Sequence, residues 1–435
     1  MTPTISQEAT RFLREAGRAF EGTRLHVLQY ASPQSDAIRA VSDQFTRITG
    51  IDVTWTKLDE KAAATKASID LGSGQGSFDL LQTSADLLPT YASRGWLASL
   101  TELGEDDDVA VPGWRPEAYG DAFVNLLSHD GQLYAAPMFL GTQIFYYRTD
   151  IFEQHNLSPP ETFDDLERVC ATIHGDPVSA IAVRTSAAPS QNLFVWSAWL
   201  YGMGGRYFTD YADGEYAGPA LDRPEAFAAA EYYSRLVQRY APTGATNWTV
   251  EDVVRAFASG QVAIVQEGAV FGGTFNDESS SRVAGKVGTF VIPAGPAGRF
   301  VPFTAHGWAI AQGSRHQKAA WLFAQWATLR DTLVSATQSD VNFAAPPLTD
   351  VYSSKPYQRK YGFDDYVKTV KDTIAIANAG NTSPLDGDPH YVPGLSNWSA
   401  VGLEISKQLS AVVTGQLSAE NAMRRANDLV AKMIA

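Results

Sequence analysis

Two carboxylates, seven histidines, one cysteine and a set of large aromatic side chains are the residues whose types could do chemistry here. Asp86 and Glu267 each follow a strand-like run, 78–82 and 261–266. Two acids facing one another across a bond, roughly 5–9.5 Å apart, would hydrolyse a glycoside. Nothing in the sequence sets that distance, so hydrolysis stands as an alternative. The histidines form no pair at ligand spacing, and neither H-E-x-x-H nor G-x-S-x-G occurs, so no metal centre and no Ser-His-Asp triad is expected. Cys170 is alone inside the amphipathic run 163–173, where a thiol reads as a small core side chain. The Gly-rich turn 72–76 lacks a following Lys-Ser/Thr and precedes a strand, whereas a phosphate loop follows one; it reads as a connection. No cofactor is expected.

Binding without chemistry needs other residues. The chain holds ten Trp, eighteen Tyr and twenty-one Phe. Trp and Tyr offer flat apolar faces with a polar edge, suited to stacking on sugar rings or polyol carbons. The formal charge of −14 repels phosphate backbones and anionic lipid surfaces, which argues against a nucleic-acid or membrane-surface partner. It sets no comparable penalty on a neutral small molecule. At 435 residues, with roughly 150 per domain, two or three domains are expected. No apolar run approaches the roughly 18 residues that cross a bilayer. Residues 1–6 lack a basic segment and 7–21 reads as a charged helix, so no export leader is visible; the chain is either cytosolic or a mature form.

The elements that would position these residues alternate. Strands are expected at 24–30, 51–55, 78–82, 180–183, 261–266, 288–292 and 308–311. Helices are expected at 37–49, 61–71, 191–201, 224–240, 250–259 and 317–329, with Thr162 capping another and Asp165 completing its box. Residues 341–347 read as an irregular crossover, followed by three closing helices. Alternating strands and helices predict parallel sheets with crossover helices, in which ligands sit beyond the carboxyl ends of strands. Here those ends lie near 30–34 and 83–86.

Six stretches, in order, carry a resemblance: Tyr134-Ala-Ala-Pro137, Tyr147-Arg-Thr-Asp150, Pro159-Pro-Glu-Thr-Phe-Asp-Asp-Leu166, Gly204-Gly205, Phe257-Ala-Ser-Gly-Gln-Val-Ala-Ile-Val-Gln-Glu-Gly268, and Val287 to Pro293 leading to His306-Gly-Trp-Ala-Ile-Ala311. Together they resemble the carbohydrate-type extracellular solute-binding proteins of bacterial ABC importers. The resemblance implies an α/β, type II periplasmic-binding-protein fold with two lobes joined by hinge crossovers, and a ligand cleft closed by hinge motion. By analogy, 1–23 is a helical extension, lobe one is 24–138 plus 290–335, and lobe two is 141–288 plus 345–435. The hinges would lie near 138–141, 288–290 and 335–345. The implied function is receptor, not enzyme. The expected protein is a monomer outside the cytoplasm, periplasmic or membrane-anchored, that hands a neutral sugar or sugar alcohol to a permease. A sugar sensor on the same fold is a further alternative.

A polyhydroxylated ligand needs hydroxyl partners and a flat apolar wall. The candidates are Gln34 on the loop after the first strand, Asp86, Tyr146, Trp196, Glu267, Phe271, His306, Gly307, Trp308 and Trp398. Asp86 is read either as a sugar-binding acid or as the N-cap of the next helix. Tyr146 points into the cleft or into lobe two. Gly307 would let backbone approach a ligand. Trp199, three residues after Trp196, reads as core, and Ser32 as an exposed turn.

Overall fold

The computed structural model describes residues 6–175, 178–212, 215–301, 303–363, 365–379, 393, 395 and 397–434. Packing divides the chain into two units, residues 1–141 with 304–361 and residues 142–303 with 362–435.

In unit one, Arg24–Tyr30 pairs in parallel with Asp52–Leu58 on one side and Leu80–Ser84 on the other. Phe303–Ile310 then adds antiparallel to Leu80–Ser84, with His306 opposite Ser84 and Trp308 opposite Gln82. The first half of the long strand Ala135–Arg148 lies beyond it. Leu80–Ser84 is buried at every position, as expected of a strand covered on both faces. Gly74, at φ +65, closes the helix Glu60–Ser73 in the left-handed conformation that L-residues resist. The run 37–49 forms two helices, Pro33–Val41 and Asp43–Thr49. Pro33 starts the first of them early, since its fixed φ suits a first helical turn. Ser42 separates them, its hydroxyl donating to the Arg39 carbonyl at 2.8 Å, which is the local competition that serines offer a helix.

The helix Gln7–Gly17 is part of unit one. Ala9 and Leu13 are buried, and Gly17 sits so close to Thr49 that a Cβ there would lie 2.6 Å from the Thr49 carbonyl oxygen. The Ser6 amide donates to Asp331. The segment that reads as an extension in the sequence is therefore packed against the body of the unit.

In unit two, the second half of Ala135–Arg148 pairs antiparallel with Val262–Gly268 and with Val287–Phe290. Ser179–Ala182 joins Val262–Gly268 in parallel. The helix Phe163–Ile173 starts at Thr162 with the capping box to Asp165. The aromatic-rich helix Phe194–Gly202 is buried throughout, preceded by the π-turn Pro189–Leu193. Unit boundaries fall at 141/142, 303/304 and 361/362. The last two lie later than the crossings expected at 288–290 and 335–345. Val287–Phe290 is held by residues 145–148 of unit two, and the Tyr357 and Tyr361 hydroxyls bond the backbone of residues 344 and 343 in unit one. After 341–347 the described residues hold four α-helices where the sequence suggested three: Lys355–Tyr361, Tyr366–Asn378, Trp398–Val413 and Ala419–Ile434.

Candidate functional site

At the carboxyl ends of the unit-one strands, polar groups gather with few partners. Gln82 is buried, its Oε1 accepting from the Tyr30 amide at 2.9 Å and the Ser35 hydroxyl at 2.5 Å. Its Nε2 donates to nothing among the described residues, and Thr83 Oγ1, Thr304 Oγ1 and His306 Nδ1 are likewise buried without a partner. Each such group costs about 1–3 kcal/mol unless something satisfies it. The His306 ring stacks on Phe139 with centroids 4.3 Å apart and meets the Tyr30 ring edge-on at 5.8 Å. Burial pushes its pKa down to about 3, so the imidazole is neutral at pH 7. Burial likewise raises the Asp86 carboxyl above its ordinary range. The helix Leu88–Ser93 begins with Leu87 as N-cap and no side-chain cap bond, so Asp86 does not cap it. Gln34 is 1% exposed in the first turn of Pro33–Val41, whose N-cap is Ser32.

Two candidates on the same strand turn out differently. Trp308 is fully buried, packed against Trp55 and Phe323 under the sheet. It belongs to the unit-one core and is not a surface for a ligand. Gly307 needs its missing side chain for another reason than ligand approach: a Cβ would lie 2.7 Å from Ala135 Cβ and 2.8 Å from the Ala136 carbonyl oxygen. The close approach is to the neighbouring strand.

In unit two, Glu267 ends Val262–Gly268 and is fully buried. Its two oxygens take a fork from Arg184, at 2.8 Å from Nε and 2.5 Å from Nη2, and Oε2 also accepts from the Gly268 amide. Arg184 further donates to the Ser190 carbonyl of the π-turn and lies over the Phe194 ring. Arg184 escaped the sequence reading, although it follows a strand end, the signal that singled out Glu267. Phe271 is half-buried in the turn Ala269–Phe271 just past that strand. Tyr146 is buried in unit two between Phe257 and Phe275, its hydroxyl donating to the Gly268 carbonyl. Trp196 and Trp398 both pack edge-on against Tyr207 in the core, and Trp199 packs against Phe163 and Tyr232. A groove of about 580 Å³ beside the helix Glu60–Ser73 is lined by Leu58, Thr65, Ile69 and Gln75, and none of the candidates faces it.

Among the described residues no group of His, Cys, Asp or Glu is arranged to hold a metal ion. No helix among them is long and apolar enough to cross a membrane. In unit one the candidates are neutral donors and acceptors beside aromatic rings, and in unit two the charged pair Arg184–Glu267 is satisfied internally.

The bacterial extracellular solute-binding protein family model matches residues 31–332, more than half of the chain. The chain belongs to that family, and its two α/β units have the type II periplasmic-binding-protein fold. It is similar to the mannitol-binding protein of Pseudomonas aeruginosa, 26% identical over 396 residues that cover 88% of this chain and 86% of that protein. The erythritol/L-threitol-binding protein of Mycolicibacterium smegmatis is 24% identical, with 82% and 77% covered. Among solved structures, an ABC transporter solute-binding protein from Agrobacterium vitis with bound D-mannitol aligns with a TM-score of 0.80 at 24% identity, covering 95% of this chain and 98% of that one.

Proposed function

We propose that this chain is the receptor of an ABC-type importer for an uncharged sugar alcohol, which it binds and releases unaltered. The observation that supports the reading is the set of buried, unpartnered polar groups on one face of the unit-one sheet: Gln82 Nε2, Thr304 Oγ1 and His306 Nδ1. Ligand hydroxyl groups would satisfy them, and the neutral His306 offers no charge that would select an anion. Asp86 beside them would accept from one or two hydroxyls, and Phe271 is the candidate that unit two offers to ligand carbons by itself. Similarity to proteins named for mannitol and for erythritol or threitol supports an acyclic polyol over a ring sugar. The partner would be a membrane permease, the place of action outside the cytoplasm, and the working form a monomer.

Hydrolysis is the weaker reading. Glu267 is committed to a bidentate ion pair with Arg184 and has no free oxygen with which to serve as acid or nucleophile. Calorimetric titration with D-mannitol, ribitol, erythritol, D-glucose and maltose, with chromatography of each mixture, tests the proposal. Saturable heat with the alditols and intact compounds is expected. No heat across the panel, or cleavage of any member, would overturn it.

A further inference from the structure

The strands of unit one lie in the order Asp52–Leu58, Arg24–Tyr30, Leu80–Ser84, Phe303–Ile310. From Arg24–Tyr30 the chain turns toward Asp52–Leu58 on one side, and from Leu80–Ser84 it goes on to Ala135–Arg148 on the other. The carboxyl ends of Arg24–Tyr30 and Leu80–Ser84 therefore flank the switch point, where open α/β sheets take their ligands. Backbone pairing of these two strands covers Val27 with Leu80 and Leu28 with Leu81 and stops there. Beyond it the Tyr30 amide donates to Gln82 Oε1 at 2.9 Å, a side chain standing in for the ladder. A backbone amide can only donate, so the atom that faces it must be the Gln82 oxygen. The Ser35 hydroxyl donates to the same oxygen at 2.5 Å. Ser35 has one hydroxyl proton, so its 2.7 Å contact with Ser32 Oγ uses the proton of Ser32. The bonds thus run one way, from Ser32 to Ser35 to Gln82, and Nε2 is left as a donor with no acceptor among the described residues. Gln82 and Ser35 are both buried, where a donor left unmade is costly.

We propose that Ser35 is a positioning residue for ligand binding: with the Tyr30 amide it holds the Gln82 side chain so that Nε2 donates to an oxygen of the ligand. The inference rests on the receptor reading above and gives its site a polarity, since at this point the ligand must accept. A hydroxyl group, with lone pairs as well as a proton, meets that demand, and an ammonium group does not. Glutamine has a long side chain, and ordering it at the moment of binding would cost affinity. Two donors on one oxygen order it before the ligand arrives.

The test uses the full chain, D-mannitol and ribitol as probes, and the variants Ser35→Ala, Gln82→Met and the two combined. By calorimetry Ser35→Ala should bind about threefold to tenfold more weakly, and Gln82→Met about tenfold more weakly. The combined variant should bind no more weakly than Gln82→Met, because Ser35 acts on the ligand only through Gln82. In nuclear magnetic resonance spectra of the parent, saturating ligand should shift the side-chain amide pair of Gln82, the pair that Gln82→Met lacks. If Gln82→Met fails to fold, that pair is assigned through the parent's own backbone, and its shift and the Ser35→Ala affinity decide. Parent-like affinity in Ser35→Ala, losses that multiply in the combined variant, or an amide pair that saturation leaves unmoved would overturn the positioning role and leave the receptor reading intact. A parent protein that binds neither probe would overturn both.

Discussion

Glu267 invites a decisive perturbation, because an acid at a strand end reads as a ligand contact in the sequence and as half of an internal ion pair in the fold. Replacing it by Ala leaves the Arg184 guanidinium, 11% exposed, without its counter-charge, and the Gly268 amide without its acceptor. Breaking one side of such a pair costs about 3–5 kcal/mol. Removing both charges, as in Arg184→Met with Glu267→Leu, deletes the desolvation penalty along with the attraction. What remains is the Ser190 carbonyl and the Gly268 amide, about 1–3 kcal/mol of lost hydrogen bonding. The double variant should therefore be more stable than Glu267→Ala by about 2 kcal/mol, despite carrying one substitution more. Urea unfolding followed by tryptophan fluorescence measures the parent, Glu267→Ala, the singles Arg184→Met and Glu267→Leu, and the double variant. A Glu267→Ala variant within 1 kcal/mol of the parent, or a double variant whose cost equals the sum of the two singles, would refute the reasoning. Loss of D-mannitol affinity at unaltered stability would return Glu267 to the role the sequence suggested.

Trp308→Ala should cost about 3–5 kcal/mol in the same unfolding assay, because it empties a fully buried site between Trp55 and Phe323; a small loss would mean the ring is not core. His306 makes stability depend on pH. Its folded pKa of about 3 lies below the usual value, so the unfolded chain takes up a proton that the folded one refuses. Its contribution is complete above about pH 6.5 and is lost as pH falls toward about 3. Urea midpoints at pH 7, 5 and 4 should fall more steeply for the parent than for His306→Gln; parallel declines would count against this.

Much of the fold is legible in the sequence because its signals are local. The strand at 24–30 and the helix at 224–240 form with the expected bounds, and Thr162 with Asp165 makes the capping box that their spacing announces. The candidate site is less legible, since which face of a strand a side chain takes, and what lies across from it, is set by residues distant in sequence. His306 and Trp308 sit two apart and share a strand face, yet one meets Tyr30 and Phe139 while the other packs on Trp55 and Phe323. Gly307 is held by the Ala135–Ala136 backbone, a contact across a long stretch of chain that no local pattern reveals. Arg184 and Glu267 could each be singled out from a strand end, but not their pairing.

The order in which the strands of unit one are made has a consequence for the birth of the molecule. Phe303–Ile310, which borders Leu80–Ser84, is translated only after most of unit two has been made. An emerging amino-terminal half therefore lacks an inner partner for its sheet and presents an open edge to whatever chaperone meets it. Such late closure favours any route that must thread the polypeptide before it sets, and it makes the carboxyl-terminal third of the gene a sensitive place for truncation.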